Sequence, residues 1–95
     1  MIPFVQTNVP QFGMAMETGN YLWGRAKNPW NTDRAVGGSS GGEGGMISAR
    51  CSVLGVGSDI GGSIRIPSEH CGVFGLKPNS KRISNSYHAS LSKSF

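Results

Sequence analysis

Apolar positions along this chain come in short clusters, cut by proline, glycine and polar runs. The first cluster, residues 2–9 (IPFVQTNV), is rich in β-branched and aromatic side chains and carries Pro3 and Pro10 at its ends, which predicts a short strand. Residues 11–34 keep no sustained period. Gly13, Gly19, Gly24, Asn28 and Pro29 mark turns there, and the stretch reads as irregular. It also holds both tryptophans, Trp23 and Trp30. Their rings are expected to pack this loop onto the body of the protein, or in a sharper reading to wall a pocket for an apolar substrate. Residues 53–58 (VLGVGS) alternate apolar with small positions, as a buried strand does. Asp59 to Ser63 (DIGGS) is a sharp loop. Residues 64–72 open a short helix with Pro67 near its first turn. Residues 73–77 (VFGLK) predict another strand, stopped by Pro78. Strands alternating with helix signals predict an α/β arrangement, with no internal repeat.

Residues 37–45 (GGSSGGEGG) look like a glycine/serine linker, but two details oppose that reading. Ser40 and Glu43 stand at capping-box spacing, which makes Ser40 the expected N-cap. Met46, Ile47, Ala49 and Arg50 then continue a helix. Glycines in its first two turns cost about 1 kcal/mol each against alanine, so neighbours must hold this helix in place. Glycine there also predicts close approach of another backbone.

Composition shifts the picture from a free-standing domain to part of one. Gly accounts for 15 residues and Ser for 13, whereas Leu, Ile, Val and Phe together supply 20 of 95. So small an apolar fraction sits at the edge of the range for ordered globules. Residues 1–80 are therefore expected to be a piece of a larger fold whose surrounding layers cover the glycine-rich part. The Ser- and Lys-rich residues 81–95 are expected to be a poorly ordered polar tail.

Several function classes drop out. No apolar run approaches the roughly 20 residues of a membrane span. The start, MIPFVQTNVPQ, has neither the basic region nor the apolar core of a secretory signal, which favours an intracellular location. Membrane association of a longer parent stays open. Cys51 and Cys71 form no disulfide framework, and with only His70 adjacent they offer no metal-ligand cluster; both are expected to be reduced and buried. The net charge is +4, but Arg25, Lys27, Arg34, Arg50, Arg65, Lys77, Lys81, Arg82 and Lys93 are scattered, with no aromatic interleaving, which argues against nucleic acid. Neither glycine cluster has the lysine of a P-loop. After Gly55 and Gly57 the third glycine of a dinucleotide fingerprint falls on Ile60, so the spacing fails.

A nucleophilic site fits better. Ser63 follows two glycines in a tight turn after an expected strand. Such a turn can aim several N–H groups at one point, each worth roughly 2.7–4 kcal/mol to an oxyanion in acyl transfer. A strained turn that exposes a serine hydroxyl serves unrelated hydrolases in the same way. A serine nucleophile needs a base, and neither histidine is placed for it: His88 falls in the polar tail, and His70 is expected to be a packed helix residue. From residue types alone, glycines that serve structure are the favoured reading over a nucleophile turn.

The run GGSSGGEGGMISARCSVLGVGSDIGGSIRIPSEHCGVFGLKP, Gly37 to Pro78, resembles the amidase signature family, with the spacing between GGSSGGE and DIGGSIRIP kept. PFVQTNVPQ (Pro3–Gln11) and NPWN (Asn28–Asn31) are similar to its fatty acid amide hydrolase branch. The resemblance implies a mixed β-sheet wrapped by helices, only part of which this chain supplies, and hydrolysis of carboxamides by a Ser–Ser–Lys triad without cofactor or metal. The partner is then a small-molecule amide, fatty acid amides foremost. By motif, Ser63 matches the nucleophile and Ser39 the serine that relays its proton to the lysine, placed in a cis peptide. The backbone N–H groups of Ile60, Gly61, Gly62 and Ser63 match the oxyanion-hole loop. Ser40, Arg65 and Asp59 match supporting positions, Asp59 bracing the loop by accepting hydrogen bonds.

One element departs from the pattern. The family's lysine lies well upstream of GGSS in a Lys-Asp- or Lys-Glu-like context, and Lys27, in the tryptophan-bearing loop, does not match it. The triad lysine is thus expected outside these residues. Two further readings follow: a non-catalytic remnant that keeps the loop geometry without turnover, and an amidotransferase component of the same family.

Overall fold

A computed structural model describes residues 2–84 and residue 86. Its elements, in chain order, are β1 (Gly19–Asn20), β2 (Gly24–Arg25), α1 (Gly41–Ser48) and α2 (Arg65–Cys71). The two strands pair antiparallel, Gly19 opposite Arg25 and Asn20 opposite Gly24. The described residues thus form a small α/β arrangement of one two-stranded sheet and two helices. His88, Lys93 and most of the expected polar tail lie outside the described residues.

The strand pair falls in the stretch whose sequence reads as irregular. Its cause is local: the Asn20 Oδ1 accepts the N–H groups of Leu22 (3.1 Å) and Trp23 (2.8 Å), folding the chain back, and Gly24 completes the turn at φ +72°. Conversely, residues 2–9, 53–58 and 73–77 are not strands. They run without ladder partners among the described residues, and Phe4, Val53, Val56, Phe74 and Leu76 stand exposed along them. A strand pattern records side chains suited to a half-buried pleated surface, but a ladder also needs a neighbour to pair with. Residues 7–8 are nonetheless anchored: the Thr7 hydroxyl donates to Glu43 Oε2 (2.7 Å), and Gly42 N–H donates to the Asn8 carbonyl (3.2 Å).

Helix α1 begins where Ser40 predicts, but not through a capping box. The Ser40 hydroxyl is engaged with the backbone of Ser58, accepting its N–H at 3.3 Å and facing its carbonyl at 3.4 Å, while Glu43 turns to Thr7. Both side chains of the box are diverted to neighbouring segments. The glycines admit those segments. A Cβ on Gly42 would collide with the Asn8 backbone, and one on Gly44 would press on Pro67 of α2 at 3.2 Å. The helix ends at Ser48, short of the expected Arg50. Arg50 adopts φ +61°, with its N–H on Ile47 O and the Cys51 N–H on Met46 O, the paired bonds of a Schellman motif. Helix α2 ends the same way with glycine in that role: Gly72 has φ +65°, its N–H on Glu69 O, and Val73 N–H reaches Ser68 O.

Among the described residues, the buried apolar side chains are Val36 and Cys71, joined by Pro10, Pro67 and the polar Thr18, Asn28 and Ser39. Asn28 donates to the carbonyls of Ala35 (3.0 Å) and His70 (2.8 Å), and the Trp30 indole and the Ser48 hydroxyl both donate to the Cys71 carbonyl at 2.8 Å. Trp30 therefore ties the loop to α2 by its N–H, while its ring stays largely exposed, as does that of Trp23. Neither ring packs as expected. His70 is also exposed rather than packed, since the face of α2 that turns inward carries Pro67 and Cys71. Cys71 is buried as expected, but Cys51, just past the end of α1, is exposed. No described helix is long and apolar enough to cross a membrane.

Candidate active site

The two serine motifs meet between the helices. Gly37–Ser40 leads into α1, and Asp59–Ile64 leads into α2. The Ser40 N–H donates to the Ser63 carbonyl at 3.1 Å, which ties the serine pair to the third serine across 23 residues of chain. The Gly38–Ser39 peptide is cis. Ser39 is 5% exposed, and Ser63 is half-buried.

The Ile60–Ser63 stretch is bent, and Asp59 organises the bend. Its Oδ1 accepts Gly62 N–H at 2.8 Å and Arg65 Nη2 at 2.9 Å; its Oδ2 accepts the N–H groups of Ile64 (3.0 Å) and Arg65 (3.2 Å) and the Arg65 Nε (3.1 Å). This carboxylate takes three backbone donors from the loop and the start of α2, plus a bidentate guanidinium. The Arg65 guanidinium first, with the N–H groups of Ile64, Arg65 and Gly62 behind it and burial opposing them, holds the Asp59 carboxyl well below the usual carboxylate range. Arg65 itself is half in solvent, its pKa pushed up by the same partner. Gly62 sits at φ +135°, where L side chains rarely go, and an added Cβ would lie 2.9 Å from Ile66 Cδ1. That glycine lets the backbone turn back to Asp59 and hand its carbonyl to Ile66 N–H at 2.7 Å.

The four N–H groups of the Ile60–Ser63 loop are not equivalent. The Gly62 N–H is spent on Asp59, whereas those of Ile60, Gly61 and Ser63 have no acceptor among the described residues. Ser40 Oγ faces Ser58, beside Asp59, and the closeness requires Gly57, whose Cβ would lie 2.7 Å from that oxygen. Lys27 is exposed and makes a bridge only through its backbone, with Ala35; its side chain has no hydrogen-bond partner among the described residues. Two shallow surface depressions of about 360 and 400 Å³ are lined by residues from 6 to 26 and touch neither Ser39 nor Ser63. No cluster of three or more metal-ligating side chains occurs among the described residues.

One contributor carries no sequence signal. Thr18 is fully buried, and its hydroxyl faces the Gly37 carbonyl at 2.8 Å, the Ser39 carbonyl at 3.4 Å and the Gly41 N–H at 3.0 Å. These partners lie 19 to 23 residues along the chain, beyond the reach of any local pattern.

The sequence model of the amidase family, described as "Amidase", matches residues 1–95. The chain is 54% identical over 85 residues to fatty-acid amide hydrolase 1 of Sus scrofa, covering 90% of this chain and 15% of that protein. It is 53% identical over 78 residues to fatty-acid amide hydrolase 2 of Homo sapiens, covering 82% and 15%. It is 41% identical over 95 residues to a glutamyl-tRNA(Gln) amidotransferase component of a Neisseria meningitidis strain, covering 100% and 20%. The chain thus spans less than a quarter of the length of these relatives. With the family match running from end to end and two serine motifs folded onto one another, this chain belongs to the amidase family.

Proposed function

We propose that this chain supplies the nucleophile segment of a serine amide hydrolase acting on fatty acid amides. Ser63 Oγ attacks the amide carbonyl carbon as its proton passes through Ser39 Oγ to a lysine contributed from outside these residues. The carbonyl oxygen becomes an oxyanion held by the N–H groups of Ile60, Gly61 and Ser63; Gly62, bound to Asp59, shapes that loop rather than donating. The C–N bond then breaks, the proton goes to the departing amine, and water releases the acyl group from Ser63. Asp59, Arg65 and Ser40 hold the loop and its neighbours in register. In this reading residues 1–80 are part of a mixed-sheet domain, with 81–95 a polar tail, and the 95-residue chain alone has no turnover, because a serine without its base stays near its unreactive state.

One observation carries the proposal: the bend at 60–63, hung on Asp59, is joined to the Ser39–Ser40 loop by the 3.1 Å bond from Ser40 N–H to Ser63 O. The test is a chimera in which this segment replaces its counterpart in the Sus scrofa hydrolase. A fluorophosphonate probe is expected to label the chimera at Ser63, to fail on Ser63→Ala and on the 95-residue chain, and to label Ser39→Ala far more slowly. Full-rate labelling of Ser39→Ala would refute the relay, and labelling of the isolated chain at an enzyme-like rate would refute the need for an outside lysine. The full-length match to an amidotransferase component supports a second reading, in which glutamine is the amide. The higher identity to fatty-acid amide hydrolases sets it second.

A further inference from the structure

We infer that Thr18 is a positioning residue for Ser39, resting on the reading of Ser39 as the proton relay. The segment before β1 covers the cis loop from outside. A Cβ on Gly38 would lie 2.5 Å from the Ala15 carbonyl oxygen and 2.9 Å from the Glu17 backbone, so residues 15–18 lie directly on the peptide that presents Ser39. From this wall a single hydroxyl enters. Its one proton is shared between the Gly37 carbonyl at 2.8 Å and, more weakly, the Ser39 carbonyl at 3.4 Å, and its lone pair receives the Gly41 N–H at 3.0 Å. The three groups bracket the loop: one residue before the cis peptide, the relay serine itself, and the first residue of α1.

Thr18 touches no substrate atom in this scheme. Its effect goes through Ser39, whose own hydroxyl has no hydrogen-bond partner among the described residues and whose Cβ is placed by the backbone that Thr18 holds. Thr18 is fixed in turn: its N–H donates to Glu17 Oε1 at 3.0 Å, its carbonyl accepts Ala26 N–H at 2.9 Å, and Gly41 lies close against the side chain. A hydroxyl at this buried point is costly unless bonded, and here donor and acceptor are both used.

The experiment uses the chimera described above with Thr18→Val and Thr18→Ser, measuring fluorophosphonate kinact and KI separately after titrating the fraction of reactive sites. Valine keeps the shape and removes the hydroxyl. It is expected to lower kinact about 10- to 100-fold, as loss of a buried hydrogen-bond partner does, with KI within about twofold. Serine restores the hydroxyl and is expected to return kinact to within about threefold of the parent. An unchanged kinact in Thr18→Val, a loss confined to the fraction of reactive sites, or no rescue by serine would each overturn the inference. If Ser39→Ala labels at full rate, the relay reading itself fails. If Ser39→Ala is slow and Thr18→Val is not, only the role of Thr18 fails.

Discussion

Replacing Asp59 by asparagine separates a clamp from a surface ion pair. The carboxylate divides its donors between two oxygens: Gly62 N–H and Arg65 Nη2 on Oδ1, and Ile64 N–H, Arg65 N–H and Arg65 Nε on Oδ2. Asparagine has the same shape but a single acceptor oxygen. Placed at the Oδ2 position, that oxygen keeps two backbone donors; placed at Oδ1 it keeps one. The first arrangement wins, and it turns the amide NH2 toward Gly62 N–H and the guanidinium, donor against donor. Gly62 is buried, so its N–H loses its acceptor without gaining water. Such a loss costs about 1–3 kcal/mol, which accelerates exchange of that amide by about 5- to 150-fold. The guanidinium, half in solvent, recovers hydration and adds little. Amide hydrogen exchange on the 15N-labelled chain reads this residue by residue. Gly62 is expected to lose protection while Ile64 and Arg65 largely keep theirs. Ala26, whose N–H is held by the Thr18 carbonyl on the far side, reports on global opening. Equal exchange at Gly62 in the two proteins would refute the clamp, and acceleration at Gly62 and Ala26 together would show general unfolding instead.

The same clamp fixes a pH dependence. The folded-state pKa of Asp59 lies below its unfolded value of about 3.9, so its contribution is complete above that value and is lost progressively as pH falls from there through the lower folded one. In urea unfolding, the stability gap between wild type and Asp59→Asn is expected to stay level from about pH 7 to 5 and to narrow below about 4; a gap that closes between 7 and 5 contradicts the assignment. Arg50→Gly relieves a left-handed non-glycine at a helix end and is expected to add about 1 kcal/mol, raising Tm by about 4–8 °C in a thermal scan; an unchanged Tm refutes it. Alkylation with iodoacetamide near neutral pH, followed by peptide mass spectrometry, is expected to modify exposed Cys51 well before Cys71, whose thiol is pushed up by burial and, behind it, by the Glu17 charge. Equal rates would mean that the contact between α2 and Val36 opens readily.

What could be read from the sequence divides by the range of the force involved. Helix α2 was legible to within a residue because its signal is its own, Pro67 in the first turn. The sharp loop at 59–63 was legible for the same reason, its acceptor and its donors lying within six residues of each other. The start of α1 was found through a capping box that does not form. Ser and Glu three apart are a local offer, and here Ser58 and Thr7 supply better partners from elsewhere in the chain. The missed hairpin turned on one asparagine amide oxygen, a signal too small to stand out in a glycine-rich loop.

The misread strands and the missed Thr18 share a cause. The apolar residues at 53–58 and 73–77 describe what those segments would bury, and a buried threonine next to a glycine describes nothing until its partners are known. In both cases the deciding contact lies outside the window in which a pattern can be seen. The glycines of GGSSGGEGG were the one local trace of such contacts. They marked where backbone would be approached, and the structure fills those places with Asn8 at Gly42, Pro67 at Gly44, the 15–17 backbone at Gly38 and Thr18 at Gly41. A missing Cβ thus tells where a neighbour comes, and only the fold tells which one. The neighbour at Gly38 and Gly41 is the segment that holds the backbone of Ser39, so if Thr18→Val leaves Ser39 at work, those glycines admit a packing contact and nothing more.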